Sequence, residues 1–68
     1  MDLCKKVGQN IRKRRLEKGF SQEELAFESG LHRTYISSLE RGKRNATIVV
    51  LGQIAEALKI KPALLLET

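Results

Sequence analysis

Apolar residues recur along this chain at helical rather than strand spacing. Leu3, Val7 and Ile11 follow at intervals of four and Leu16 extends the same side, which predicts a helix from Asp2 or Leu3 to Lys18, stopped by Gly19. Lys5, Lys6, Arg12 and Lys13 fall off that stripe, whereas Arg15 falls close to it and calls for a neutralising partner. Ser21 and Glu24 have the spacing of a capping box, so a second helix is expected from Gln22 to about Ser29, with the turn at Gly30. A third spans about Arg33 to Arg41, buries Ile36 and Leu39, and stops at Gly42. Thr47 is placed to cap a fourth helix, in which Ile48, Leu51, Ile54, Ala55 and Leu58 form an apolar stripe with Val49 and Val50 off it. Gly52 inside that helix costs about 1 kcal/mol relative to alanine, which points to a close contact there. Pro62 suits the first position of a short fifth helix carrying Ala63 to Leu66. Strand signals are nearly absent. The expected fold is therefore all-α, a compact five-helix bundle forming one domain over residues 1–68, with no repeat, linker or low-complexity tract.

The second and third helices carry the most specific pattern. Ala26, Gly30 and Ile36 stand four, eight and fourteen residues after Gln22, with Leu25, Leu31 and Leu39 around them. A small residue lets two helices cross closely, a glycine permits a turn with φ > 0, and a β-branched residue anchors the second helix to the core. That is the spacing of a helix-turn-helix. The outer side of its second helix, with Arg33, Thr34, Ser37 and Ser38, is polar and free to enter a DNA groove.

Charge sharpens this picture. The net charge is +5, with seven Lys or Arg against two acids in residues 1–20, three Glu in 21–31, and four basic residues against one acid in 32–46. The first helix, and the third helix with its following loop, are thus the basic segments, as a phosphate-binding surface requires. Apolar residues make up 41% and charged residues 31%, which fits a globular chain rather than a disordered one. Cys4 is the only cysteine, so neither an intrachain disulfide nor a cysteine-based zinc site is available; it reads as a small apolar residue near a helix start. No apolar run approaches the ~20 residues of a membrane span, and the first residues lack the apolar core of a signal peptide, so a cytoplasmic setting is expected.

From IRKRRLEKGFSQEELA through SGLHRTYISSLERGKRN to IAEALKIKPALLL the chain resembles the Cro and phage-repressor type of helix-turn-helix, the Xre-like family of five-helix DNA-binding domains. Within that family, HRTYIS followed by LERGKRNATI most resembles the small controller proteins of restriction-modification systems, dimers that regulate their own operon. The resemblance implies that Gln22 touches a phosphate and that Arg33 and Thr34 reach base edges, Arg33 pairing with guanine and Thr34 with a thymine methyl or a polar edge. Ser37 and Ser38 lie further along the same side. Tyr35, Lys43, Arg44 and Asn45 become backbone or groove-edge contacts, with Arg44 and Asn45 also able to approach bases and Tyr35 alternatively packing its ring on the domain. It also implies an ion pair between Arg15 and Glu40, joining the first and third helices and standing outside the DNA site. Two departures stand out: Lys59 occupies a helix end where relatives commonly have glycine, and Ala46 a loop position where they often have proline.

The reading that follows is a sequence-specific regulator that binds double-stranded DNA at a near-palindromic operator as a homodimer. Val49, Val50, Ile60 and residues 63–66 supply more apolar side chains than one small bundle needs, which places the dimer contact on the fourth and fifth helices. A second class of function, an antitoxin or adaptor gripping a protein through the same fold, is disfavoured by the basic and polar third helix. Catalysis finds no assembled nucleophile, base and orienting group: His32 stands alone at a helix start, and Glu24 and Glu28 share a helix face without a partner. No metal or cofactor is called for.

Overall fold

The computed structural model describes Asp2–Thr68. Four α-helices, α1 (Leu3–Lys18), α2 (Gln22–Ser29), α3 (Arg33–Glu40) and α4 (Ile48–Leu58), are followed by a 3₁₀ turn over Pro62–Leu66. The expected fifth helix is this turn. With Pro62 lacking an N–H and only five residues before extended Glu67, the tighter i→i+3 pattern is what the segment can complete. No helix among the described residues is long and apolar enough to cross a membrane.

The helix ends are fixed by side chains legible in the sequence. The Asp2 carboxylate accepts from the Lys5 N–H at 3.2 Å. Ser21 Oγ accepts from the Glu24 N–H at 3.0 Å while Glu24 Oε1 accepts from the Ser21 N–H at 2.8 Å, completing the capping box. Thr47 Oγ1 accepts from the Val50 N–H at 3.0 Å. Helix α3 closes one residue earlier than expected, at Glu40, with Arg41 as its cap (φ −85°, ψ 0°) before left-handed Gly42.

Val7, Ile11, Leu25, Ala26, Ile36, Leu39, Leu51, Ile54, Ala55, Leu58 and Leu65 form the core. Leu65 is brought there by Asn10, whose Nδ2 donates to the carbonyls of Leu65 and Glu67 at 3.0 and 2.8 Å. Expectations fail at four positions. Leu16 is 53% exposed, because the four-residue step from Ile11 leads to Arg15 and turns Leu16 toward solvent; Leu3, at the end of α1, is also exposed. Ile48 is 88% exposed, since the first turn of α4 projects past the bundle and the buried stripe begins at Leu51. Gly52 has no atom within 4 Å of the position a Cβ would take, so it marks no close contact within this chain. The close contact falls at Gly8 instead, where a Cβ would lie 2.2 Å from the Leu39 carbonyl oxygen and 2.9 Å from that of Glu40. Helix α1 thus presses its backbone onto the C-terminal end of α3.

That crossing is locked by Arg15 and Glu40. Arg15 Nε and Nη2 donate to Glu40 Oε2 and Oε1 at 2.6 and 3.0 Å, and Nη1 donates to the Phe20 carbonyl at 2.8 Å. Their side chains are only 10% and 4% exposed, so each charge depends on the other. Gln22 Nε2 adds a bond to Glu40 Oε1 at 3.2 Å, tying the start of α2 to the same carboxylate.

Glu40→Ala leaves the Arg15 guanidinium buried without its counter-charge and is expected to lower the unfolding free energy by about 3–5 kcal/mol; urea denaturation measures this, and a loss below about 1 kcal/mol contradicts it. Lys59, which caps α4 at φ 57° and ψ 45°, is the only residue other than glycine with positive φ among the described residues. Lys59→Gly is therefore expected to raise stability by up to about 1 kcal/mol, because glycine takes that conformation without the Cβ clash. A thermal melt at or below the parent midpoint overturns it.

Candidate nucleic-acid interface

Ser29 is buried and donates its hydroxyl to the Ala26 carbonyl at 3.3 Å, and Gly30 turns the chain at φ 75°. The Leu31 N–H then bonds back to the same Ala26 carbonyl at 3.1 Å, which closes the end of α2 tightly enough for α3 to start after only three intervening residues. Helix α3 buries Ile36 and Leu39 and leaves the rest of its circumference at least partly in solvent. Its N-cap position is held by His32, whose exposed imidazole makes no cap bond.

Two hollows lie side by side on α3. One is a furrow lined by Arg33, Thr34, Ser37, Ser38 and Arg41. The other is lined by Gly30, Leu31, His32, Thr34, Tyr35, Ser38 and Arg44. Thr34 and Ser38 face both. Of the two readings of Tyr35, the packing one is seen here: the half-buried ring packs against the core, and it also carries the Arg44 guanidinium, 5.1 Å from the ring centroid. Six of the nine residues singled out from the sequence, Arg33, Thr34, Tyr35, Ser37, Ser38 and Arg44, are therefore brought to one face.

The other three sit at its margins. Lys43 is exposed on the loop after α3, where its backbone N–H donates to the Ser38 carbonyl at 3.0 Å. Asn45 lines an apolar hollow with Leu3, Cys4, Val7 and Leu66, and its Oδ1 accepts from the Cys4 thiol. Cys4 thus does more than fill space. Gln22 lies in neither hollow and holds Glu40.

The electrostatics of this face follow from which charges are spent. Glu40 is the only acid between residues 32 and 46, and Arg15 consumes it. Arg33, Arg41, Lys43 and Arg44 are exposed and belong to none of the ion pairs among the described residues. The outer side of α2 is the opposite: Glu23, Glu24 and Glu28 surround Phe27, which is 84% exposed. That side repels phosphate, so α2 offers a polyanion little more than its N-terminal end. No cluster of potential metal ligands occurs among the described residues.

Arg41 was not among the residues singled out from the sequence, where it served only as the end of a helix. Its signal was available: Arg33, Ser37 and Arg41 are spaced by four, which aligns them along one side of α3.

A family model described as helix-turn-helix matches residues 11–65. The control protein C.BamHI of Bacillus amyloliquefaciens is 51% identical over 61 residues, covering 88% of this chain and 75% of that one. Among solved structures, the restriction-modification controller protein C.AhdI from Aeromonas hydrophila matches with a TM-score of 0.89 at 48% identity, over 91% of this chain and 94% of that chain. The controller protein C.Esp1396I, solved as a tetramer in complex with its natural 35 base-pair operator, matches with a TM-score of 0.87 at 46% identity, over 96% and 86%.

Proposed function

The chain belongs to the helix-turn-helix family, and from that membership we propose that it is a sequence-specific, dimeric DNA-binding transcription regulator, a controller of a restriction-modification operon that includes its own gene. The observation that carries this reading is the exposed face of α3, where hydroxyl side chains lie between unpaired cations and the one acid nearby is neutralised from behind. Such a surface suits binding rather than catalysis, and its work lies with DNA in the cytoplasm.

Arg33 and Thr34, at the N-terminal end of α3, reach the base edges of the major groove. The Arg33 guanidinium matches the O6 and N7 acceptors of guanine, and Thr34 offers a hydroxyl and a methyl to the neighbouring base. Ser37 and Ser38 follow along the groove. Lys43, Arg44 and Asn45 bracket the backbone, with Arg44 held over Tyr35 before DNA arrives. Gln22 approaches a phosphate from the α2 N-terminus, where its remaining amide N–H is free of Glu40.

The dimer forms through α4 and the terminal 3₁₀ turn. Ile48, Val49 and Leu66 are 88%, 73% and 51% exposed, and Gly52 stands open on the same helix as Ile48 and Val49. A two-fold contact there buries apolar surface and doubles the bases contacted.

Protection of DNA upstream of its own start codon from nuclease cleavage is the direct test. On that fragment, Arg33→Ala is expected to weaken binding by about 1–3 kcal/mol and to relax base preference at one position of each half-site. Equal losses on the fragment and on random DNA remove Arg33 from base recognition. Sedimentation at micromolar concentration is expected to give a dimer, with recognition helices about 34–36 Å apart in its crystal structure. A monomer, or helices facing one another, overturns that assembly.

A further inference from the structure

We infer that Arg41 is a phosphate clamp at the C-terminal end of the recognition helix, a role that rests on the DNA-binding reading of α3. Arg33 and Arg41 close the two ends of one furrow, with Thr34, Ser37 and Ser38 between them. Eight residues of helix separate them by about 12 Å along the axis, close to the width of the B-DNA major groove. With Arg33 on base edges, Arg41 reaches the rim, where the backbone runs.

Its position is prepared before binding. The Arg41 N–H and Nε both donate to the Ser37 carbonyl, at 3.1 and 3.4 Å, which holds the cation at the negative end of the α3 dipole. Immediately after it, left-handed Gly42 is pressed against α1 so closely that a Cβ would lie 2.8 Å from Lys5 Cγ, so the backbone at this corner has little room to move. The two Nη groups, with four N–H between them, have no partner among the described residues. They form the planar fork that matches two phosphate oxygens.

The experiment is a salt titration of binding to two duplexes, the fragment upstream of the start codon and a random sequence of about 30 base pairs, with wild type, Arg41→Gln, Arg41→Lys and Arg33→Ala. Thermal melts check folding; because the Arg41 side chain is solvent-exposed and outside the core, its variants are expected to melt with the parent. Arg41→Gln is expected to weaken both complexes alike, by about five- to tenfold near 100 mM salt, and to reduce the salt slope by about 0.9. Its deficit therefore shrinks by about 3.5-fold between about 50 and 200 mM salt. Arg41→Lys keeps the slope and loses part of the affinity, since the charge stays and the fork goes. An unchanged slope in Arg41→Gln, or a loss confined to one base pair of the specific site, overturns the clamp while leaving Arg33 and the DNA-binding reading intact. Failure of wild type to bind either duplex overturns both.

Discussion

The bond between Arg15 and Glu40 sets the geometry of the DNA-facing surface. It joins the last turn of α1 to the last residue of α3, and through Gln22 it reaches the first residue of α2, so one carboxylate fixes three helices. Burying two charges is expensive in a domain this small, and the pair recovers the cost because all three guanidinium nitrogens donate and both carboxylate oxygens accept. What it secures is orientation. Helix α3 has just eight residues and two fully buried side chains, too little apolar surface to hold its angle unaided. The backbone contact at Gly8 brings α1 onto the α3 C-terminus, and the ion pair then forbids rotation about that contact.

The same pair decides the sign of the functional surface. Glu40 is on the recognition helix, and left free it would oppose phosphate there. Drawn inward to Arg15, it withdraws the only negative charge of residues 32–46 and leaves four exposed cations on the outside. Stability and polyanion affinity therefore depend on one arrangement. On α2 the opposite segregation holds: its acids cluster around exposed Phe27, while Leu25, Ala26 and Ser29 face inward. The chain thus carries charge of one sign on the recognition helix and of the other on the helix that supports it.

A bundle of 68 residues also leaves apolar surface it cannot cover. Leu65 is pulled into the core by Asn10, but Ile48, Val49 and Leu66 are not, and these three come from α4 and the terminal turn. A monomer exposing them spends solubility for nothing. In the dimer proposed above, a two-fold partner would cover them and at the same time set the spacing at which two recognition helices meet DNA.

Sequence by itself determined the elements and most of their ends, because caps, glycines and four-residue spacing act between neighbours in the chain: the Ser21–Glu24 box, the turn at Gly30 and the Thr47 cap were all legible. It also gave the polar side of α3, since two buried positions in eight residues leave the others facing out. What it did not determine depends on where one helix stops relative to another. Leu16 and Ile48 fit their stripes nearly as well as buried residues do, yet one turns past the neighbouring helix and the other overhangs the bundle. Gly8 carries no mark of the carbonyls that press on it. Arg41 passed for a helix end: its four-residue spacing from Ser37 and Arg33 put it on their side of α3, but the furrow that it closes exists only in the folded surface. Periodicity states which side of a helix is apolar, and only tertiary packing states how much of that side another helix is long enough to cover.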